Sequence, residues 1–265
     1  MPGITATIIT LNEATHIAAA LDSVRWADEI VVVDAESTDD TVAIAKRWTD
    51  RVMVRPWPGY IDQKNFAAAQ ASHDWIFSLD ADERVTPELA SEVTALVATG
   101  PPLAAYRMPR VSFYLGRWIR STDWYPDHQL RLYDRRRARW AGRYVHESVN
   151  VEGDVGRLRA ELQHYPYGNV SHHLRTIDRY TTLAARQMFE DGRRAGPPRI
   201  VLQAAAAFLR NYLLRGGIKD GGAGLIVSLI NAYYVAMKFA KLWELCSHST
   251  LTRPVPGAGD RTKSS

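Results

Sequence analysis

The sequence predicts an α/β fold: a doubly wound, mostly parallel sheet flanked by helices fills the first part of the chain, and a helical extension follows at its C-terminal end. Three observations carry this. Short apolar runs alternate with helical periods through roughly the first hundred residues, the βαβα order of a doubly wound sheet. One of these runs, EIVVVD at 29–34, is almost continuously apolar, as strands buried on both faces of a parallel sheet are. Beyond Tyr165-Pro166-Tyr167 the period turns helical and stays so to about residue 245.

In chain order, the β-branched run Ile4–Thr10 is the first strand. Ile17, Leu21 and Val24 fall at helical spacing and predict a helix over 14–24 with Asn12 as its N-cap. The run 29–34 is the second strand. Ser37, Thr38, Asp39 and Asp40 supply capping candidates for a helix over 41–48, and 51–54 reads as a third short strand. A helix over 63–71 leads into WIFSL, a fourth strand ending at Asp80. Thr86 before Pro87 is a cap with proline at the first helical position, so a helix should run to about Val97. Past Gly100 the chain is rich in Arg, Trp and Tyr, with short extended runs such as 129–133. Helices are expected over 170–191, 199–214 and 225–245, the last after a glycine-rich break at 216–224. Residues after Thr250 read as a disordered tail.

Composition narrows the class. With 265 residues, 46% hydrophobic and 23% charged, the chain can bury a core without disulfides or metals, which excludes disordered, collagen-like and low-complexity proteins. The single cysteine, Cys246, forms no internal disulfide and supports neither a cysteine zinc site nor a CxxC pair; a reducing compartment is the natural reading. The N-terminal MPGITATIITLNE has no basic region and reads as a strand rather than a signal peptide. The longest uncharged stretch, 221–237, falls below the roughly 20 apolar residues of a bilayer crossing. The expectation is a cytoplasmic protein, whose net charge of +4 leaves contact with an anionic membrane surface open.

Ligands of open α/β sheets bind beyond the carboxyl ends of the strands. Three such ends here carry polar residues: Thr10-Leu11-Asn12-Glu13, the stretch from Asp34 through Ser37 to Asp39, and Asp80-Ala81-Asp82-Glu83. The alternation in Asp80-x-Asp82 lets two carboxylates project towards one pocket. Oxygen ligands of that kind suit Mg²⁺ or Mn²⁺, which take one or two carboxylates and leave the rest of the shell to phosphate and water. Capping or turn formation is the plain alternative for each aspartate.

The ensemble TLNE, VVVDAESTDDT and QKNFAAAQASHDWIFSLDADE resembles the nucleotide-binding half of glycosyltransferase family 2, which has a GT-A fold. Further on, WYPDHQLRLYDRR, RWAGRYVHESV, HYPYGN and KFAKLWE resemble the bacterial lipopolysaccharide core β-1,4-glucosyltransferases of that family. The resemblance implies a GT-A domain over 1–165, with a nucleotide-sugar half at 1–100 and an acceptor half at 101–165. A helical extension at 166–249 and the tail at 250–265 complete the chain. It also implies a UDP-sugar donor, with Thr10, Asn12, Glu13, Asp34 and Ser37 lining the nucleotide pocket. In that arrangement Asp34 holds the uridine, Lys64 lies near the nucleotide, Asp80 meets the ribose and Asp82 meets the metal. Many members carry a second acid and then glycine after the position of Asp34, where this chain has Ala35 and Glu36.

Transfer needs a base for the acceptor hydroxyl. Asp127, in WYPDHQ, resembles the family's catalytic acid ahead of Gln129 and Arg131; a turn residue or an arginine partner is its alternative, and Asp123 and Glu147 are the reserves. His146 is a candidate second metal ligand, with a hydrogen-bonded structural histidine as the commoner outcome. His128 is a neighbour of the base. Trp124, with Trp118 and Trp140, is a candidate for stacking on an acceptor sugar, against core packing. Between Arg107 and Arg143 ten arginines face three aspartates, an excess of seven, which suits a phosphorylated glycolipid acceptor. No RNA- or DNA-binding motif accompanies the charge, so nucleic acid is not expected. Apolar stripes on the last two helices read as internal packing or a homodimer contact; a lipid acceptor adds peripheral contact with the cytoplasmic face of the inner membrane.

The activity the resemblance implies is metal-dependent, inverting transfer of a hexose, glucose in the group resembled, to an acceptor such as the lipopolysaccharide inner core. A family-2 enzyme acting on a peptide or polyprenyl phosphate, and a non-catalytic sugar-nucleotide-binding protein, are the alternatives.

Overall fold

The computed structural model describes residues 2–143 and 146–251, and all side chains among them except those of 143, 146 and 248–251. The alternation read from the sequence is present. Strand β1 (Ile4–Thr10) leads to α1 (Ile17–Ser23), β2 (Glu29–Asp34), α2 (Thr41–Ala45), β3 (Val52–Val54), α3 (Tyr60–Ala69) and β4 (Trp75–Asp80). The short β5 (Glu83–Val85) then precedes α4 (Pro87–Ala98). Residues 101–165 contain β6 (Ala105–Tyr114), β7 (Arg117–Ile119), β8 (Asp127–Asp134), β9 (Ala138–Arg143), β10 (His146–Val151), β11 (Val155–Arg157) and β12 (Leu162–His164). Three long helices close the described chain: α5 (Val170–Glu190), α6 (Pro197–Leu209) and α7 (Gly221–Leu251).

One ten-stranded sheet runs in the order β3-β2-β1-β4-β8-β6-β12-β5, with β7 and β11 also paired to β6. The first four strands are parallel. The α/β prediction stands, and residues 101–165 add antiparallel joins at β4–β8 and β6–β8. A separate hairpin pairs β9 with β10. Val31 to Val33 are fully buried, the two-sided burial that the run EIVVVD implied. Beside them Ile8, Phe77, Leu79, Leu89 and Leu132 are also fully buried; truncating one to alanine costs roughly 2–5 kcal/mol.

Thr86 caps α4 as read, its hydroxyl accepting from the Leu89 amide at 3.2 Å, with Pro87 at the first position; such a cap is worth about 1 kcal/mol. Two boundaries shift. Helix α1 begins at Ile17 rather than 14, after a turn in which the His16 and Ile17 amides donate to the Glu13 carbonyl. Helix α2 is only five residues long, and its N-cap Asp40 makes no side-chain cap bond.

The helix expected over 225–245 spans Gly221–Leu251. The helical stretch Gly217–Ser247 is long and apolar enough to cross a membrane by length and composition, which corrects the reading from uncharged residues alone. Lys238, Lys241 and Glu244 broke the uncharged run in the sequence without breaking the helix. One face of α7, including Val227, Ile230, Phe239 and Leu242, is buried within the protein. Of the expected tail, 250 and 251 belong to α7, and 252–265 lie outside the described residues.

Candidate active site

Parallel pairing sets three strand ends side by side. Thr10 lies opposite Asp34 across β1 and β2, and Ile9 opposite Asp80 across β1 and β4. The Thr10 hydroxyl is buried without a hydrogen-bond partner in the described protein, a group that a ligand or water normally satisfies. Asn12 takes a left-handed backbone, φ 55°, which Asn tolerates better than most residues. Its amide donates to Ser37 Oγ and its Oδ1 accepts from the Thr38 amide, both at 2.8 Å. Asn12 thus stitches the β1 loop to the β2 loop instead of capping α1. Asp34 is fully buried; Oδ1 accepts from the Ser37 amide at 2.7 Å and Oδ2 from the Ser37 hydroxyl at 2.5 Å. Its carboxylate therefore shapes the loop that follows β2.

From Asp80 a ladder of alternating charge crosses to β8 and β6. Lys64 Nζ, buried on α3 and 4.2 Å above the Trp140 ring, lies 3.0 Å from Asp80 Oδ1. Arg131 Nη2 donates to Asp80 Oδ2 and, at 2.6 Å, to Glu83 Oε1. Glu83 is 0% exposed and also accepts from Arg110 Nη1 at 2.9 Å. Arg110 in turn holds Asp127 Oδ2 through Nε at 3.0 Å and Nη2 at 2.6 Å, while Gln129 Nε2 donates to Oδ1 at 2.8 Å. Burial favours the neutral form of Asp80, but Arg131 and Lys64 outweigh it and hold that carboxyl far below the usual carboxylate range. Each charge in the ladder faces its opposite, which is the condition for keeping buried ions.

Asp82 stands beside the ladder, paired with a histidine that the sequence reading did not assign. His164 Nε2 is 3.4 Å from Asp82 Oδ2, and His164 Nδ1 is 3.0 Å from Ser112 Oγ. Strand register explains the meeting: β12 places His164 opposite Glu83 on β5 and opposite Ser112 on β6. Burial, then repulsion from Asp82 and Asp39, pushes the Glu13 carboxyl up to about 7. The site thus concentrates negative charge that a cation would relieve. Among the described residues no group of three His, Cys, Asp or Glu forms a metal shell. An Asp82–His164 pair, its imidazole oriented by Ser112, fits a cation that completes its shell with phosphate and water. The His146 side chain lies outside the described residues. The signal for His164 was present as the histidine that opens HYPYGN; Glu83 and Arg110 carried no signal without strand pairing.

The remaining candidates sit elsewhere. Trp124 packs against Tyr114, Tyr167 and His173, with ring centroids 5.4, 6.1 and 5.6 Å away. Trp140 is buried and donates to the Tyr133 hydroxyl, and Trp118 packs on Phe113 and Tyr165. Asp123 accepts from Asn211 Nδ2 at 3.0 Å and Asn231 Nδ2 at 2.7 Å, joining the 122–124 turn to the helical extension. Glu147 lies on β10 opposite Gly142, and His128 is exposed on β8. Of the ten arginines between 107 and 143, Arg110, Arg117, Arg120, Arg131, Arg135 and Arg136 pair with carboxylates. The local charge excess is therefore largely compensated by acids from other segments.

The family model for glycosyl transferase family 2 matches residues 5–160. The chain belongs to glycosyl transferase family 2. Its GT-A type α/β domain accordingly carries the strand-end acids, and the protein is a transferase. It is similar to the lipopolysaccharide core biosynthesis glycosyltransferase LpsC of Rhizobium meliloti, 31% identical over 95% of each chain. It is also similar to an uncharacterized glycosyltransferase of Rickettsia typhi, 33% identical over 92% of this chain and 88% of that one. Among solved structures it is similar to glucosyl-3-phosphoglycerate synthase of Mycobacterium tuberculosis in complex with Mn²⁺, UDP and glucosyl-3-phosphoglycerate, at TM-score 0.37 and 24% identity, over 41% of this chain and 44% of that one.

Proposed function

We propose that this family-2 transferase moves a hexose, glucose in the first instance, from a UDP-sugar to a hydroxyl of a phosphorylated glycolipid of the lipopolysaccharide inner-core kind, with inversion at the anomeric carbon. The observation that carries the reading is the placing of the Asp82–His164 pair beside a charged ladder that runs from Asp80 to Asp127. The acceptor class rests on similarity to LpsC along nearly the whole chain. The lone Cys246 suits a reaction on the cytoplasmic side, where thiols stay reduced.

The Thr10 hydroxyl and the loop held by Asn12, Asp34 and Ser37 receive the nucleoside. Asp80, fixed by Lys64 and Arg131, meets the ribose. A Mg²⁺ or Mn²⁺ ion held by Asp82 and His164 would neutralise pyrophosphate charge as UDP departs. Asp127 takes the proton of the acceptor hydroxyl as its oxygen bonds to the anomeric carbon and the bond to UDP breaks. Arg110 and Gln129 fix the carboxylate for that transfer.

Asp127→Asn keeps the shape and removes the basic lone pair. UDP binding should survive while turnover falls by roughly 10²–10⁴. Near wild-type turnover at saturating donor and acceptor, with chemistry rate-limiting, would move the base elsewhere.

A further inference from the structure

A run of cations without intervening acids lies in the helical extension. Between residues 192 and 219 there are six cations, Arg193, Arg194, Arg199, Arg210, Arg215 and Lys219, and no Asp or Glu. All six are exposed, and none makes an ion pair among the described residues. Lys238 nearby is pushed down by burial and then by Arg193 and Arg210, as expected where positive charges crowd. Within the same segment the apolar residues point outward. Leu213 is 54%, Leu214 83% and Ile218 57% exposed at the turn between α6 and α7. On α6, Val201, Leu202 and Leu209 are also more than half exposed, and 201, 205 and 209 share one helical face.

We propose that the turn between α6 and α7, with the outer stripe of α6, docks on an anionic phospholipid surface, Leu213, Leu214 and Ile218 entering the acyl boundary and Arg210, Arg215 and Lys219 meeting headgroup phosphates. Leucines among exposed cations match an interface that is apolar below and anionic above. A nucleic acid offers the anions but no apolar layer for Leu213, Leu214 and Ile218. A second copy offers the apolar surface, but self-pairing sets six cations against six. The inward-facing core residues of α7 favour a hairpin lying on the bilayer over a helix surrounded by lipid. The extension is fastened to the acceptor half: Asp220 Oδ2 accepts from the Ser121 hydroxyl at 2.5 Å and the Arg120 amide at 3.1 Å. Docking therefore bears on the segment leading to Asp127. The inference stands whether or not the donor assignment does.

Sedimentation of the full chain with vesicles tests it. Phosphatidylcholine vesicles with phosphatidylglycerol as minor component should carry the protein down, phosphatidylcholine alone should not, and added salt should release it. Arg210→Gln with Arg215→Gln and Lys219→Gln should weaken partitioning on the order of 100-fold, about fivefold for each charge removed. Leu213→Ser with Leu214→Ser and Ile218→Ser should abolish sedimentation while circular dichroism stays unchanged, since these side chains are exposed. Wild-type protein remaining in the supernatant, or either triple variant sedimenting like wild type, would overturn the proposal. So would a dimer lost in the leucine variant without vesicle binding, or tighter retention on duplex DNA than on the anionic vesicles.

Discussion

Glu36 holds a left-handed backbone at φ 62° on the loop after β2, the position where many family members carry glycine. A side chain there costs about 1–2 kcal/mol, and the greater freedom of glycine in the unfolded chain returns about 0.5–1 kcal/mol of any gain. Glu36→Gly should therefore raise stability by about 0.5–1 kcal/mol and the melting temperature by about 2 °C; calorimetry finding a lower melting temperature would contradict this. Glu13 offers a test by pH. Its carboxyl is raised from 4.5 to about 7 by burial and by Asp82 and Asp39, so between those values the folded state keeps a proton that the unfolded state has lost. Its contribution to stability therefore falls as pH rises through that window. Glu13→Gln should make the fall shallower in urea titrations, and an unaltered slope would remove the electrostatic account of this site.

At the level of elements, residues 101–165 depend on contacts between distant segments. Asp123 is the clearest case, since Asn211 is buried and donates its amide to that carboxylate. Asp123→Ala leaves this donor unsatisfied and should cost about 2 kcal/mol, read as a lower urea midpoint with UDP binding retained; no change in midpoint would show that the turn is held by other contacts. The parallel strands were legible because burial on both faces writes itself into composition, as in EIVVVD. Thr86-Pro87 and the start of α5 at Val170 were legible because capping is local. Helix α1 was misplaced because Asn12 bonds 26 residues away, to Thr38. His164 and Glu83 became neighbours through the register of β12 with β5, which no local pattern contains. The arginine-rich segment misled for the same reason: its partners Glu83, Asp74, Glu161 and Asp220 come from elsewhere in the chain.

For the molecule as a whole, the carboxyl ends of β1, β2 and β4 collect the polar groups, a buried ladder links Asp80 to Asp127, and the helical extension braces the 120–124 segment. The central claim is that Asp82 binds a divalent cation that in turn binds the UDP pyrophosphate. Calorimetric titration of UDP into wild type and Asp82→Ala, with Mn²⁺ and then with a chelator, tests it most directly. The account predicts that chelation weakens UDP binding to wild type by at least about tenfold, or 1.4 kcal/mol, and that Asp82→Ala in Mn²⁺ binds no better than chelated wild type. Asp82→Ala retaining the full Mn²⁺-dependent affinity for UDP would contradict it.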